Sequence, residues 1–193
     1  MTPRDDGEEI VGMRSPQSMA ALLAIASSLH GPEGHYLPPT GAPPGPPHDH
    51  LSTAARALEW LLPRRELRVP KLPPSASELA MLREIRGAVQ CLTRGDREGY
   101  RRGVGRLTHA ARFELTGDVG LRPAASGWRA IAFGLVVPLV ALDEHHASLK
   151  RCGNPRCGFV FLDRSDNQRR RWCSDTCGNR SKVRRFRSRR RKP

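Results

Sequence analysis

Four of the five cysteines stand in one short stretch, at the spacing Cys152-x4-Cys157-x15-Cys173-x3-Cys177. Two close pairs separated by roughly 15–20 residues are the sequence form of a structural zinc site. The feature constrains folding because the segment is small. A core below roughly 40 residues seldom holds itself together without metal or disulfides. A structural zinc contributes on the order of 10–16 kcal/mol in finger peptides at neutral pH. Two disulfides, free thiols or an iron–sulfur cluster are the competing readings. The acidic extreme N-terminus (Asp5, Asp6, Glu8, Glu9) argues against disulfides. It is wrong for secretion, although Met19–Leu29 loosely resembles a signal-peptide core, so a cytoplasmic chain with reduced thiols is expected. Four thiolates close a tetrahedron and leave no position for water, so the expected Zn2+ is structural, with no catalytic residues. All seven histidines (30, 35, 48, 50, 109, 145 and 146) lie upstream of the cluster.

The residues between the cysteines predict a local fold. Asn154-Pro155 forces a turn inside the first pair, which aims both thiolates at one ion. Gly158–Leu162 alternates, with Phe159 and Phe161 on one face and Val160 and Leu162 on the other, and reads as a strand. The segment 163–168 (DRSDNQ) is turn-rich, and Arg169–Trp172 is expected to return as the partner strand. Ser174 is a natural N-cap that places Cys177 in the first helical turn. The expected unit is treble-clef-like: knuckle, β-hairpin, basic helix. Val183 and Phe186 are expected to pack the helix on the aromatic hairpin, and Trp172 to shield the metal in preference to stacking on a base.

Formal net charge is +14, and residues 151–193 supply +12 of it, with 15 Lys/Arg against 3 Asp/Glu. A nearly neutral body with a cationic end points to a polyanion partner, against the plainer reading of a solvated basic tail. On a helix, Arg180, Arg184, Arg187 and Arg191 share one face, while Lys182, Arg185 and Arg189 form a second; Arg190 adds to the run. Like charges at these spacings repel by a few tenths of a kcal/mol per pair. The helix therefore needs an anchor at one end and phosphates along its length. Arginine matches phosphate and guanine-edge geometry. Duplex DNA is favoured over RNA because stacking aromatics are few: five Phe, two Tyr and three Trp. A protein-interaction or assembly module is the third reading. The sequence leaves open a homodimer and any small-molecule effector.

Upstream, the chain reads as mainly helical. Residues 1–16 are expected to be disordered. Gln17–Leu29 is a candidate Ala-rich helix. Leu37–Pro47 holds six prolines and two glycines in eleven residues and is a stiff loop. Ser52 is a candidate cap for a helix through Leu62, and Ser75 with Glu78 has capping-box spacing. Leu79, Leu82, Ile85, Val89 and Leu92 mark the buried face of that second helix. Glycines 95, 99, 103 and 105 are expected to break the segment after it. Arg112–Thr116 and Val119–Arg122 form a candidate hairpin across Gly117-Asp118. Ser126 is expected to cap one long helix to about Leu149, kinked at Pro138. The most apolar run, Ala130 to Leu142, has 13 residues; a membrane span needs about 20.

The strings RRRWCS-x2-CGNR-x-K-x-RR, with FLD-R-S before them, closely resemble the CGNR-type zinc finger of bacterial proteins. That resemblance covers about 40 residues, set here as 150–193. More weakly, LREIRGAV (82–89) and the helix before the finger resemble the helical ABATE domain that precedes such fingers, placed here at 17–149. The resemblance implies stress-induced transcription regulators. It also implies that Gly178 permits close packing at the helix start. Asn179 and Arg180 either tie the helix to the knuckle or contact phosphate.

Other conspicuous residues have plain readings. Cys91 is expected as a core thiol, His48-Asp49-His50 as a loop without metal, and Trp60 and Trp128 as core. His145-His146 is expected to answer to a helix dipole or solvent. No Ser/His/Asp order, phosphate-binding loop or dinucleotide fingerprint is present, so a non-enzymatic protein is expected.

Overall fold

A computed structural model describes residues 16–30, 47–64, 67–115, 121–145 and 148–190. The protein is mainly helical. A helical body comes first: α1 (Pro16–Ala26), the short pair β1 (Leu29–His30) and β2 (His48–Asp49), α2 (Ala54–Leu61), α3 (Ala76–Thr93) and α4 (Arg97–Ala110). Next come the hairpin β3 (Phe113–Leu115) and β4 (Leu121–Pro123), then α5 (Gly127–Gly134), α6 (Val136–Ala141) and a 3-10 turn (Leu142–His145). The C-terminal unit comprises β5 (Leu149–Arg151), β6 (Val160–Leu162) and α7 (Asp175–Arg190). Each strand pair is antiparallel and two-stranded. No described helix is long and apolar enough to cross a membrane.

The body is organised on α3. Its capping box forms: the Ser75 hydroxyl accepts from the Glu78 amide, and Glu78 accepts from the Ser75 amide at 2.8 Å. Leu79, Leu82, Ile85, Val89 and Leu92 are all buried. Between α3 and α4 lies a connection of three residues, which makes them antiparallel neighbours. Gly103 faces Ala88, and Arg106 donates to Glu84. Of the four glycines expected to break the chain, Gly95 does, at φ +78° between α3 and α4, while Gly99, Gly103 and Gly105 lie inside α4. A Cβ on Gly103 would meet the Ala88 Cβ at 3.0 Å, so glycine lets the two helices approach. That packing offsets the roughly 1 kcal/mol that glycine costs a helix interior.

Two other expectations shift. The cap of α2 is Thr53, whose hydroxyl accepts from the Arg56 amide, while the Ser52 hydroxyl donates to the Asp49 carbonyl at 2.7 Å. The single helix expected from Ser126 to Leu149 is two, parted at Leu135. Pro138 has no amide proton, and its ring would clash with the carbonyl four residues back, at Gly134. The break falls there, before the proline. The hairpin across residues 117–118 is present in its strands, Glu114 opposite Arg122; its turn lies outside the described residues, as do residues 1–15, the loop through 46 and His146.

The body continues into the C-terminal unit without a gap. Leu149 and Val160 are buried in the same core as α1, α3 and α6, and Leu162 packs against it. The Ser27 hydroxyl accepts from the Val160 amide at 3.1 Å and donates to its carbonyl at 3.4 Å. Trp60 lies 6.3 Å from Phe159, ring to ring, and donates its indole proton to the Ala24 carbonyl. His50 stacks on the same indole at 4.2 Å, and Arg86 clamps Asp49. The His48-Asp49-His50 segment is thus occupied in packing. Cys91 is half-buried beside the Gly99 turn of α4, where burial pushes its thiol up.

Candidate metal centre

A turn brings the first two sulfurs together. The Cys157 amide donates to the Asn154 carbonyl at 2.9 Å, and the Asn154 side chain accepts from the Arg156 amide at 3.2 Å. Gly158 leaves the turn with φ +73°, a conformation that costs a side chain strain, and a Cβ there would also press on the Arg151 guanidinium. The Cys152 amide then donates to the Phe159 carbonyl at 2.7 Å. The knuckle is therefore the closed end of a hairpin whose strands are β5 and β6, with Lys150 opposite Phe161.

This corrects the expected pairing of Arg169–Trp172 with the 158–162 strand. The strand partner is upstream, because both strands leave the knuckle already hydrogen-bonded in register. The chain returning at 169–172 forms no strand and is held at single points. The Arg171 carbonyl accepts from the Gly153 amide at 2.8 Å, and the Arg170 amide donates to Asp163 at 2.8 Å. The alternation along 159–162 holds. Val160 faces the helical core, and Phe159 and Phe161 face the cysteines with Trp172.

The second pair comes from the start of α7. The Ser174 hydroxyl accepts from the Cys177 amide at 3.3 Å, which places Cys177 in the first turn. All four Sγ atoms lie within 4.8 Å of one another, and Cys152, Cys157 and Cys177 are buried. The Cys157–Cys173 and Cys173–Cys177 separations are 3.6 and 3.5 Å. A disulfide needs about 2.05 Å. Tetrahedral zinc with bonds of about 2.3 Å spaces its sulfurs about 3.8 Å apart. The donor set and spacing fit Zn2+. Cys152, Cys157, Cys173 and Cys177 would hold it, and it would supply the crosslink that the small aromatic cluster around it lacks. The thiols also show the charge problem a cation solves. Cys152 is drawn far down because Cys157 and Cys173 donate to it, while Cys157 and Cys173 are pushed up by the same contacts. A divalent ion removes that competition and favours all four thiolates.

Two outer residues support the cluster. Asn154 is fully buried; its amide reaches the Cys177 sulfur at 4.0 Å, and its carbonyl oxygen accepts from Arg184 at 3.1 Å. Asp163, also buried, accepts from Lys150 at 2.7 Å, from the Ser165 hydroxyl and amide, and from the Arg170 amide. Neither role is legible in the sequence. The Asn-Pro turn and the Asp-x-Ser spacing are visible as turn signals, but the long-range partners are not.

Lys150 and Ser165 hold the Asp163 carboxyl well below the usual carboxylate range. A lowered folded-state value means that the ionised form stabilises the fold. The contribution is complete above the unfolded value of about 3.9 and fades as pH falls below it. At saturating zinc, Asp163→Asn is therefore expected to lower the thermal midpoint at pH 7. The wild-type and variant curves should converge on acidification below about pH 4. Thiol protonation releases zinc from both proteins, so the difference between the two curves is the readout. A gap independent of pH would sink this assignment.

Along α7 the placement of Cys177 in the sulfur cluster sets the phase. Cys177, Arg180, Ser181 and Arg184 recur at i, i+3, i+4 and i+7, one stripe facing the knuckle. Arg180 has Nε and Nη1 sealed from solvent without a hydrogen-bond partner among the described residues, and Arg184 is bound to Asn154. These two were expected to lie free for phosphate, and they face inward. Of the two roles considered for Asn179 and Arg180, a tie to the knuckle or a phosphate contact, Arg180 faces the knuckle without a bond to it among the described residues. Asn179 is exposed, and the tie to the knuckle is Arg184. Lys182, Arg185, Arg187, Arg189 and Arg190 are exposed; Arg191 lies outside the described residues. Val183 and Phe186 do not pack on the hairpin: they are 48% and 56% exposed. Phe186 is nine residues from Cys177, about 180° around the helix at 100° per residue, so it points away. Gly178 is buried against Trp172, where a Cβ would touch the indole at 3.4 Å. Trp172 lies with the cysteine cluster as a shield.

No curated protein matches the chain. Residues 148–190, from the start of the hairpin to the end of α7, match the family model described as the CGNR zinc finger.

Proposed function

We propose that the protein is a zinc-dependent, non-enzymatic nucleic-acid-binding protein, and that it acts as a DNA-binding transcription regulator. The observation that carries the reading is the outward face of α7. Lys182, Arg185, Arg187, Arg189 and Arg190 are exposed there, and no Asp or Glu comes after Asp175. The helix is 16 residues long and starts on a zinc ligand, so a rigid crosslink presents the charge at a fixed angle. Four thiolates saturate the ion, which suits a scaffold and not a hydrolytic centre. A helix of this width fits a major groove, with arginines on the flanking phosphates. The helical body, weakly similar to the ABATE domain, would carry the regulatory input.

The test is a salt titration of binding to a short DNA duplex and to the RNA duplex of the same sequence. About five phosphate contacts predict a log–log slope near −4.5 for B-form DNA. Tighter binding to DNA than to RNA is expected across the titration. Binding insensitive to salt, or none at low ionic strength, would overturn the reading, and tighter binding to RNA would overturn the choice of DNA.

A further inference from the structure

We infer that Phe186 is a base-stacking residue, so that the nucleic acid gripped by α7 is preferred where a base is unstacked. This rests on the nucleic-acid reading above and names the feature the helix recognises. Among the described residues, Phe186 is one of the few large apolar side chains left exposed, at 56%. It lies diametrically opposite the zinc ligand of its own helix. At 100° per residue, Lys182 and Arg189 fall about 40–60° to one side and Arg190 and Val183 about 40–60° to the other. The phenyl ring is therefore the centre of the cationic face and not its edge. Arg190, one turn on, holds its guanidinium over the ring at 4.6 Å.

The occupant of such a face has to be anionic at its rim and flat and apolar at its middle. A nucleic acid with an exposed base is both. Phosphates meet the rim cations, and the base meets the ring, as aromatic side chains do on single strands or as wedges at kinked steps. A second copy of this chain would bring two cationic faces together, and an ordinary protein surface supplies no such pairing of charge and flat apolar area.

The experiment compares a DNA duplex carrying a one-base bulge, labelled with 2-aminopurine beside it, with the perfect duplex of the same sequence. Wild type is expected to prefer the bulged duplex and to change the 2-aminopurine fluorescence. Phe186→Ala should lose about 5- to 100-fold in affinity for the bulged duplex, with the preference abolished and the salt slope unchanged. Phe186→Trp should retain the preference. The ring is exposed and off the core, so these variants are expected to keep zinc and melt as wild type. If wild type binds both duplexes with a steep salt dependence and Phe186→Ala is indistinguishable from it, the stacking role is wrong while nucleic-acid binding stands. If wild type binds neither, both readings fall together. If Phe186→Ala abolishes a concentration-dependent dimer and leaves DNA affinity intact, the face is a self-association surface and the inference is overturned.

Discussion

Cys177→Ser is expected to purify without stoichiometric zinc, and the loss should reach beyond the finger. The metal contributes on the order of 10–16 kcal/mol to units of this kind, as much as the whole stability of a typical domain at about 5–15 kcal/mol. One hydroxyl does three kinds of damage. The tetrahedron loses a thiolate. The first turn of α7 loses its anchor, and a helix crowded with like charges is marginal alone. The β5–β6 hairpin loses its closed end, and its Leu149 and Val160 are part of the body core. Withdrawing such side chains costs about 2–5 kcal/mol each where the site cannot collapse. Metal analysis should read near zero. Hydrogen exchange should show protection lost from β5, β6 and α7, including the Val160 amide held by Ser27. The helical body should melt earlier as well. Full zinc occupancy with unchanged protection would refute the four-thiolate centre. A melting change confined to the finger would refute the shared core.

The second large effect is electrostatic. Replacing Lys182, Arg185, Arg187, Arg189 and Arg190 together by glutamine should bring the log–log salt slope from about −4.5 to near zero and cost roughly 10³-fold or more in affinity at moderate salt. Zinc content should be unchanged, because none of the five touches the knuckle. Arg184→Gln is the internal contrast. Its partner is the buried Asn154 oxygen, 3.1 Å away. Loss of such an outer support typically costs about 10- to 100-fold in metal affinity, so that variant should weaken zinc retention in a chelator competition and barely change the slope. If the two variants behave alike, the division of α7 into an inward stripe and an outward face is wrong.

Much of the centre was legible because its signals are local. The cysteine spacing, the Asn-Pro turn, the Ser174 cap and the two-residue alternation of 159–162 act within a few residues of each other. The body helices were legible where caps and apolar periodicity coincide, as at Ser75 and along Leu79–Leu92. They were not where a local rule met a tertiary contact. Gly103 breaks helices in isolation and here lets α4 lie against Ala88. Arg169–Trp172 looks like a strand, yet Asp163 and Gly153 take its backbone groups.

The chain alone determined which sulfurs gather at the candidate metal centre, where the last helix begins and that its charge is positive, since each depends on residue type at short spacing. Which cations stand exposed was decided in three dimensions. The burial of Cys177 in the sulfur cluster goes with the rotation of α7 that turns Arg180 and Arg184 inward and Phe186 outward, and a bound Zn2+ would lock that phase. The tertiary structure also decided that the β5–β6 hairpin shares the core of the body, because Val160 finds Ser27, 133 positions away, and a contact at that range leaves no periodic trace.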